Sequence, residues 1–156
     1  MKDSSKHKVE MSPLTAAPAA LSGPRSVAEV MTRDTMTLGP EQSFADAVGL
    51  MATQFFRHVL IVDEDERLHG VISDRDVLRA LARTPNWNTK SVSEIMTKDA
   101  ITTVPEAPIS HAIKLMLDKR INCLPVIGSD GRVCGILTST DLLKAYEDIQ
   151  ILLEQR

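Results

Sequence analysis

The sequence predicts a mixed α/β fold in which two β-α-β-β-α repeats pack sheet to sheet about a pseudo-twofold axis. The chain of 156 residues repeats itself, and the phrase GVISDRD at 70–76 returns 65 residues later as GILTSTD at 135–141. The composition is 43% hydrophobic but only 3% aromatic, which indicates an aliphatic core. One copy alone is too small to bury a three-stranded sheet and its helices. The two copies are therefore expected to share their buried surface.

The repeat holds its register without a gap from residue 27 to the end of both copies. VAEVMT at 27–32 matches VSEIMT at 92–97, and Arg67 matches Arg132. Self-similarity at a fixed period indicates a duplicated structural unit. We therefore predict an arm over 1–25, repeat 1 over 26–83, a connector over 84–91, repeat 2 over 92–147 and a C-terminal helix extension over 148–156.

Each element of the first copy follows from a local pattern. A short helix at VAEVM is followed by a strand near 35–38, which ends at a Gly-Pro turn. Apolar residues at helical spacing behind the N-cap Ser43 predict a helix through Phe55. The run HVLIV and the segment LHGVIS predict two strands joined by the turn DEDER, and a helix begins behind Ser73.

The second copy predicts the same order of elements. These are a helix near 92–96, a strand near 101–104, a helix near 108–119, strands at 123–127 and 132–137, and a long final helix from about 139. Residues 1–25 are rich in Ser, Ala and Pro without a helical or strand period, so a disordered or extended arm is expected there.

Composition and motif content exclude several functional classes. A net charge of −3 argues against a general binder of nucleic acid or anionic membranes, and no apolar run approaches the roughly 18 residues that span a bilayer. The four histidines form no ligand-spaced set and there is no C-x-x-C motif, so no metal site is predicted. Phosphate-loop and nucleophile-elbow motifs are also missing. We expect a cytoplasmic protein that is not an enzyme.

The two cysteines are expected to be reduced thiols. In the hairpin predicted from 123–127 and 132–137, Cys123 would lie opposite Ile136 and Cys134 opposite Pro125. This register does not bring the two sulfur atoms together for a disulfide.

The repeated phrase combines features that suit a nucleotide. Its hydroxyl residue, Ser73 or Thr138, lies at the N-cap of a helix, where free backbone N–H groups and the helix dipole favour an anion. Asp76 or Asp141 lies one turn inside, where a carboxylate can accept both hydroxyls of a ribose. The alternative is that the hydroxyls only cap the helices and the aspartates only interact with the helix dipole.

The two phrases, together with VAEVMT, VSEIMT and CLPVI, closely resemble a tandem pair of cystathionine-β-synthase (CBS) domains, known as a Bateman module. The resemblance covers about 27–147 and leaves no room for a catalytic domain. It implies a regulatory fold that binds adenine nucleotides such as AMP, ADP or ATP, and sometimes S-adenosylmethionine, in clefts between the repeats. It also implies a disc-like homodimer formed through the helices. The alternative is a ligand-free scaffold for dimerisation or for an unidentified protein target.

The resemblance further implies that each cleft is built from both repeats. The first cleft would use Ser73, Arg75 and Asp76 with Thr97, Thr102 and Ile121, and with Arg57 and His58 for phosphate. The second cleft would use Thr138, Thr140 and Asp141 with Thr32, Thr37 and Phe56.

The charges predict that the two clefts differ. Arg57, His58 and Arg75 would let the first cleft bind phosphate more tightly, because the matching Asn122, Cys123 and Thr140 are neutral. The second cleft would be weak, borrow Arg57, or take a less anionic adenosyl ligand. Copy one has leucine where the family usually has the proline of CLPVI, which leaves base selectivity open.

Overall fold

The computed structural model describes residues 23–156, so most of the predicted N-terminal arm lies outside the described residues. The first repeat contains a short 3-10 helix at Val27–Glu29, β1 at Thr37–Leu38, α1 at Phe44–Gln54, β2 at His58–Val62, β3 at Leu68–Ser73 and α2 at Asp74–Arg83. Strand β2 lies between β1, which is parallel to it, and β3, which is antiparallel.

The second repeat follows the same order after a 3-10 helix at Trp87–Thr89. It contains α3 at Val92–Ile95, α4 at Ile109–Lys119, β4 at Cys123–Ile127, β5 at Val133–Thr138 and α5 at Ser139–Glu154. Helix α5 has 16 residues against ten in α2. The mixed fold of two repeats is confirmed, and repeat 2 departs from the β-α-β-β-α order at its first strand.

The strand predicted near 101–104 is reduced to one parallel bridge between Thr103 and Val126. In repeat 1, β1 and β2 are joined by two bridges, Thr37 with Leu60 and Leu38 with Ile61. The first of these bridges depends on the N–H of Leu60, which donates to the carbonyl of Met36 at 2.9 Å. The matching residue in repeat 2 is Pro125, which has no N–H to donate. The proline therefore shortens the strand.

The predicted register of the β4–β5 hairpin is wrong by two residues. Cys123 pairs with Thr138, and Pro125 pairs with Ile136. The shift arises because the pairing starts at the tight turn 128–132 and a bulge between Val126 and Ile127 absorbs one residue of β5. Both cysteines are free thiols, as predicted.

Each repeat completes the hydrophobic core of the other. Val92, at the start of repeat 2, is fully buried with Phe44 and Ile61 of repeat 1. Val27, at the start of repeat 1, is fully buried with Leu124 and Leu137 of repeat 2. Matching backbone bonds hold the two segments, from Val92 N to Gln42 O at 2.8 Å and from Val27 N to Ala107 O at 2.9 Å.

The two sheets meet in a third, smaller cluster formed by Leu60, Val71 and Ile136. This cluster joins β2 and β3 of repeat 1 to β5 of repeat 2, as the predicted sheet-to-sheet packing requires. Trp87 of the connector packs edge to face on buried Phe44, with 6.1 Å between ring centroids. None of the helices in residues 23–156 has the length and apolar character that a bilayer crossing requires.

Candidate ligand-binding clefts

The glycine of each repeated phrase marks the point where the other repeat crosses. Thr97 forms an antiparallel bridge with Val71, and Thr32 forms the equivalent bridge with Ile136. A Cβ atom on Gly70 would lie 2.7 Å from the carbonyl oxygen of Thr97, and one on Gly135 would lie 2.8 Å from that of Thr32. Only glycine admits such an approach of two backbones. The crossings place the MT segment of each repeat beside the phrase of the other.

The hydroxyl and aspartate of each phrase form a capping box at the start of α2 or α5. Ser73 Oγ accepts from the backbone N–H of Asp76 at 3.1 Å, and Asp76 Oδ2 accepts from the N–H of Ser73 at 2.9 Å. The equivalent distances are 3.3 Å and 2.8 Å for Thr138 and Asp141. The helix cap therefore occupies one oxygen of each carboxylate.

The second oxygen of each carboxylate has a different partner in the two repeats. Asp141 Oδ1 accepts from the hydroxyl of Thr32 at 2.8 Å, which is a hydrogen bond between the repeats. Asp76 Oδ1 lies 3.6 Å from a guanidinium nitrogen of Arg79 on its own helix. These oxygens are the atoms that remain for a ligand.

The first cleft has a volume of about 450 Å³ and lies between the α2 N-terminus and repeat 2, within the range of small-molecule sites. Five of the predicted residues line it: Ser73, Arg75, Asp76, Thr97 and Ile121. Thr102 is not among the lining residues. Arg120, Asp99 and Asp74 also line it, although the sequence did not single them out.

The second cleft also has a volume of about 450 Å³ and lies between the α5 N-terminus and repeat 1. Five of the predicted residues line it: Thr138, Thr140, Asp141, Thr32 and Phe56. Thr37 is not among the lining residues. Lys144, Asp34 and Asp74 line it without having been predicted.

Arg57 and His58 line the second cleft and not the first, so their predicted placement is wrong. They directly follow Phe56, and the crosswise arrangement directs this end of repeat 1 toward α5. The matching residues Asn122 and Cys123 line the first cleft. The predicted concentration of cations in the first cleft is therefore wrong as well. The option that the second cleft borrows Arg57 is the one that fits this placement.

Several lining residues could have been found by applying the repeat offset more strictly. Arg120 immediately precedes Ile121, and it matches Phe55, which lines the second cleft. Both residues end their helix in the left-handed region, with φ of 54° and 58°. Asp34 and Asp99 also match each other across the repeat. Asp74 gave no such signal, because its counterpart Ser139 is uncharged.

Burial is the main cause of the shifted pKa values of two lining residues, His58 in the second cleft and Cys123 in the first. It lowers the pKa of His58 below its ordinary value, against the attraction of Asp74, so the imidazole is neutral at pH 7. Burial, reinforced by the negative charge of Asp76, raises the pKa of Cys123 to about 12. Cys123 therefore presents a protonated thiol to the first cleft. Within residues 23–156 no group of three or more His, Cys, Asp or Glu side chains is arranged to hold a metal ion.

Comparison with known proteins identifies the repeat. The family model for the CBS domain matches residues 27–83 and again residues 92–148. The inosine-5'-monophosphate dehydrogenase of Methanocaldococcus jannaschii is 31% identical over 116 residues, which are 74% of this chain and 22% of that enzyme. The chain thus spans about a quarter of the length of this curated relative.

Solved structures show the same fold as isolated domain pairs. The CBS domain pair of protein MJ0100, in complex with 5'-methylthioadenosine and S-adenosyl-L-methionine, is 30% identical with a TM-score of 0.71, and the match covers 79% of this chain and 96% of that one. CBSX2 in complex with AMP is 26% identical with a TM-score of 0.72, covering 81% and 99%. Both matches cover nearly the whole neighbouring chain, and the family model matches both repeats, so this chain belongs to the CBS domain family as a tandem pair.

Proposed function

We propose that the chain is a regulatory module that binds an adenosine-containing ligand, such as AMP, ADP or ATP, in the clefts between its repeats. The observation that carries the proposal is the pair of crosswise clefts, each with an aspartate whose second carboxylate oxygen is not used by the helix cap. The complexes of MJ0100 with adenosyl ligands and of CBSX2 with AMP support it. In this proposal the chain performs no catalysis.

Each cleft supplies three kinds of contact to such a ligand. The carboxylates of Asp76 and Asp141 accept the ribose hydroxyls. Ile121 in the first cleft and Phe56 in the second offer apolar surface to the base. Backbone N–H groups at the helix N-termini and nearby arginines receive a phosphate or another polar tail.

The binding signal would pass through the contacts between repeats. Thr32 and Asp141 both line the second cleft, and the 2.8 Å hydrogen bond between them joins the two repeats. A ribose that binds Asp141 competes for the oxygen that Thr32 now occupies. Binding therefore exchanges a contact between repeats for a contact with ligand, which alters how one repeat is held against the other.

Ligand-induced stabilisation tests the proposal. Thermal unfolding is followed with AMP, ADP, ATP, S-adenosylmethionine, 5'-methylthioadenosine and GMP. A ligand at 100 times its dissociation constant adds about 2.7 kcal/mol to the free energy of unfolding. We expect adenosine ligands to raise Tm and GMP to have a smaller effect. Asp76→Asn combined with Asp141→Asn should reduce the ligand-induced rise relative to its own ligand-free protein.

No rise in Tm with any adenosine ligand at millimolar concentration would contradict the proposal. The scaffold function would then take precedence, and it has an observation of its own. Leu78 on α2, which also lines the first cleft, and the matching Leu143 on α5, which lines neither cleft, are 69% and 68% exposed. Exposed apolar side chains grouped on helices are typical of an interaction surface.

We propose that these helices pair two copies of the chain. Leu78→Asp with Leu143→Asp should convert a dimer to a monomer in sedimentation analysis, because each aspartate would place a charge in the apolar contact. Val104→Asp is the control, since Val104 is 47% exposed but lies outside the helices. Dimers that persist in the double variant, or that are lost equally in the control, would contradict this arrangement.

A further inference from the structure

Asp74 lies between the two clefts, in the partition that we define by the shared lining residues Asp74 and Asn122. Among residues 23–156, Asp74 and Asn122 are the two that line both clefts. Asp74 is the first residue of α2, and its backbone N–H donates to the carbonyl of Arg57 at 2.9 Å. Its counterpart in repeat 2, Ser139, lines the second cleft alone. A negative charge that belongs to one repeat therefore faces both sites.

The first cleft carries more carboxylates than cations. The charged residues that line it are Arg75 and Arg120 against Asp74, Asp76 and Asp99. Asp76 and Asp99 have counterparts in the second cleft, whereas Asp74 has none. Asp76 is paired at 3.6 Å with Arg79, which is not itself a lining residue, so Asp74 is the carboxylate of this cleft that has neither an ion-pair partner among residues 23–156 nor a counterpart in the second cleft.

The second cleft has the same excess from the same residue. Arg57 and Lys144 face Asp34, Asp141 and Asp74. Its histidine is neutral at pH 7 because burial lowers the pKa of His58, so it adds no positive charge to this count. Without Asp74 the charged residues that line the second cleft would balance.

The Asp74 carboxylate is not neutralised by an ion pair in residues 23–156. In the part of the chain that the structure describes, its one side-chain hydrogen bond is accepted by Oδ1 from the backbone N–H of Arg75 at 2.9 Å. No arginine or lysine nitrogen of the described residues lies within 4.0 Å of it. An anionic group of a ligand that approaches the partition therefore meets an unpaired negative charge.

We infer that Asp74 makes both clefts select ligands by charge. The module therefore prefers adenosyl ligands with little negative charge over nucleoside triphosphates. The inference rests on the proposed function, which it narrows from adenosine ligands in general. A neutral nucleoside such as 5'-methylthioadenosine, or an adenosyl sulfonium, enters a cleft of this charge without repulsion. The phosphates of ATP approach Asp74 as like charges and are disfavoured.

Asp74→Asn tests the inference, because asparagine keeps the oxygen that accepts from Arg75 N–H and removes only the charge. Dissociation constants for ATP and for 5'-methylthioadenosine are measured by calorimetry without added divalent cation. We expect the variant to bind ATP about 2- to 5-fold more tightly, the range for one exposed charge pair, and to bind 5'-methylthioadenosine as the unaltered protein does. The gain should be present at 0.1 M salt and lost at 1 M, since the screening length falls from about 10 Å to about 3 Å.

Two further variants locate the effect. Ser139→Asp adds the missing carboxylate to repeat 2, so it should weaken ATP at one of two sites and spare the other. Glu64→Gln removes one negative charge in the β2–β3 turn, away from both clefts, and should leave the ratio of ATP to 5'-methylthioadenosine affinity unchanged.

The NMR titration of His58 tests the charge of Asp74 without any ligand. Asp74→Asn should lower the pKa of His58, because the negative charge of Asp74 raises it.

An unchanged affinity ratio in Asp74→Asn, with 5'-methylthioadenosine still bound, would overturn the inference and leave the proposed function standing. Tighter binding of both ligands to the same extent would also overturn it, because the effect would not depend on ligand charge. If neither the unaltered protein nor the variant binds any adenosine ligand, the proposed function fails and the inference fails with it.

Discussion

Gly70 and Gly135 are the residues at which one repeat admits the backbone of the other. The phrase that repeats in the sequence suggests close backbone approach at its glycine, but the sequence does not say what approaches. In the structure the approaching group is the carbonyl of Thr97 or Thr32, from the opposite repeat. This single contact explains why glycine occurs at the same place in both copies.

Replacing Gly70 by alanine should therefore destabilise the protein. The added Cβ would lie 2.7 Å from the carbonyl oxygen of Thr97, which also accepts a hydrogen bond from Val71 N at 3.1 Å. We expect a loss of about 1–3 kcal/mol in the free energy of unfolding, measured by urea denaturation. Gly49→Ala is the control, because nothing lies within 4 Å of its Cβ position in α1. The control should gain about 0.5–1 kcal/mol, and equal losses in both variants would contradict this explanation.

His58 makes stability depend on pH. Its pKa is lowered in the folded protein, mainly by burial, so the unfolded chain binds the proton more readily. Stability should therefore be complete above pH 6.5 and fall as the pH drops below that value toward the folded pKa. Between pH 7.5 and 5.5 the unaltered protein should lose more stability in urea than His58→Gln does. Equal losses in the two proteins would show that other groups cause the dependence.

At the scale of elements, one proline accounts for the main difference between the two sheets. The repeat predicts a strand near 101–104 in the second copy, and the first copy has its strand at the matching position. The pattern describes the strand itself and not the hydrogen bonds that its neighbour offers. Pro125 withholds the N–H that Leu60 supplies in repeat 1, so the ladder in repeat 2 keeps one bridge.

Leu60→Pro should transfer this difference to repeat 1. It removes the bond to the Met36 carbonyl while leaving the antiparallel pairing of β2 with β3 in place. We expect a loss of about 2–4 kcal/mol, from the unpaired acceptor and the smaller buried side chain. Leu60→Val keeps the N–H and should cost about 0.5–1.5 kcal/mol. Amide exchange should show faster exchange at Leu38 and retained protection in β3, and a variant that loses both would refute the assignment.

The clefts show the same division between what the sequence predicts and what needs the structure. The repeated phrase indicates the helix N-termini and their aspartates, because capping is a local property of sequence. It does not indicate which cleft the residues before β2 face, so the cleft predicted for Arg57 is wrong. That assignment depends on how the two repeats cross, which is a property of their packing.

At the scale of the whole molecule, the boundaries of the sequence repeat are not the boundaries of the two cores. Val27 belongs to repeat 1 in sequence and to the core of repeat 2 in space, and Val92 shows the reverse. Neither repeat can bury the apolar surface between its own helices and sheet without the first segment of the other. The domain pair should therefore unfold as one cooperative unit.

Val27→Ala tests this cooperativity through Trp87. The substitution removes buried methyl groups from the core of repeat 2 and should cost about 1–3 kcal/mol. Trp87 packs on Phe44 in the core of repeat 1, so its fluorescence reports on the other repeat. We expect tryptophan fluorescence and far-ultraviolet circular dichroism to shift to the same lower Tm. A fluorescence transition that stays at the original Tm would mean that the two cores unfold independently.

Each repeat inserts its first segment into the core of the other, so the two repeats are interlocked. The connector over 84–91 joins them covalently. A cut in the connector would leave two fragments that still complete each other. A single ancestral repeat could complete its core with the first segment of a second copy of itself. Duplication would then have turned an association between two chains into one within a single chain.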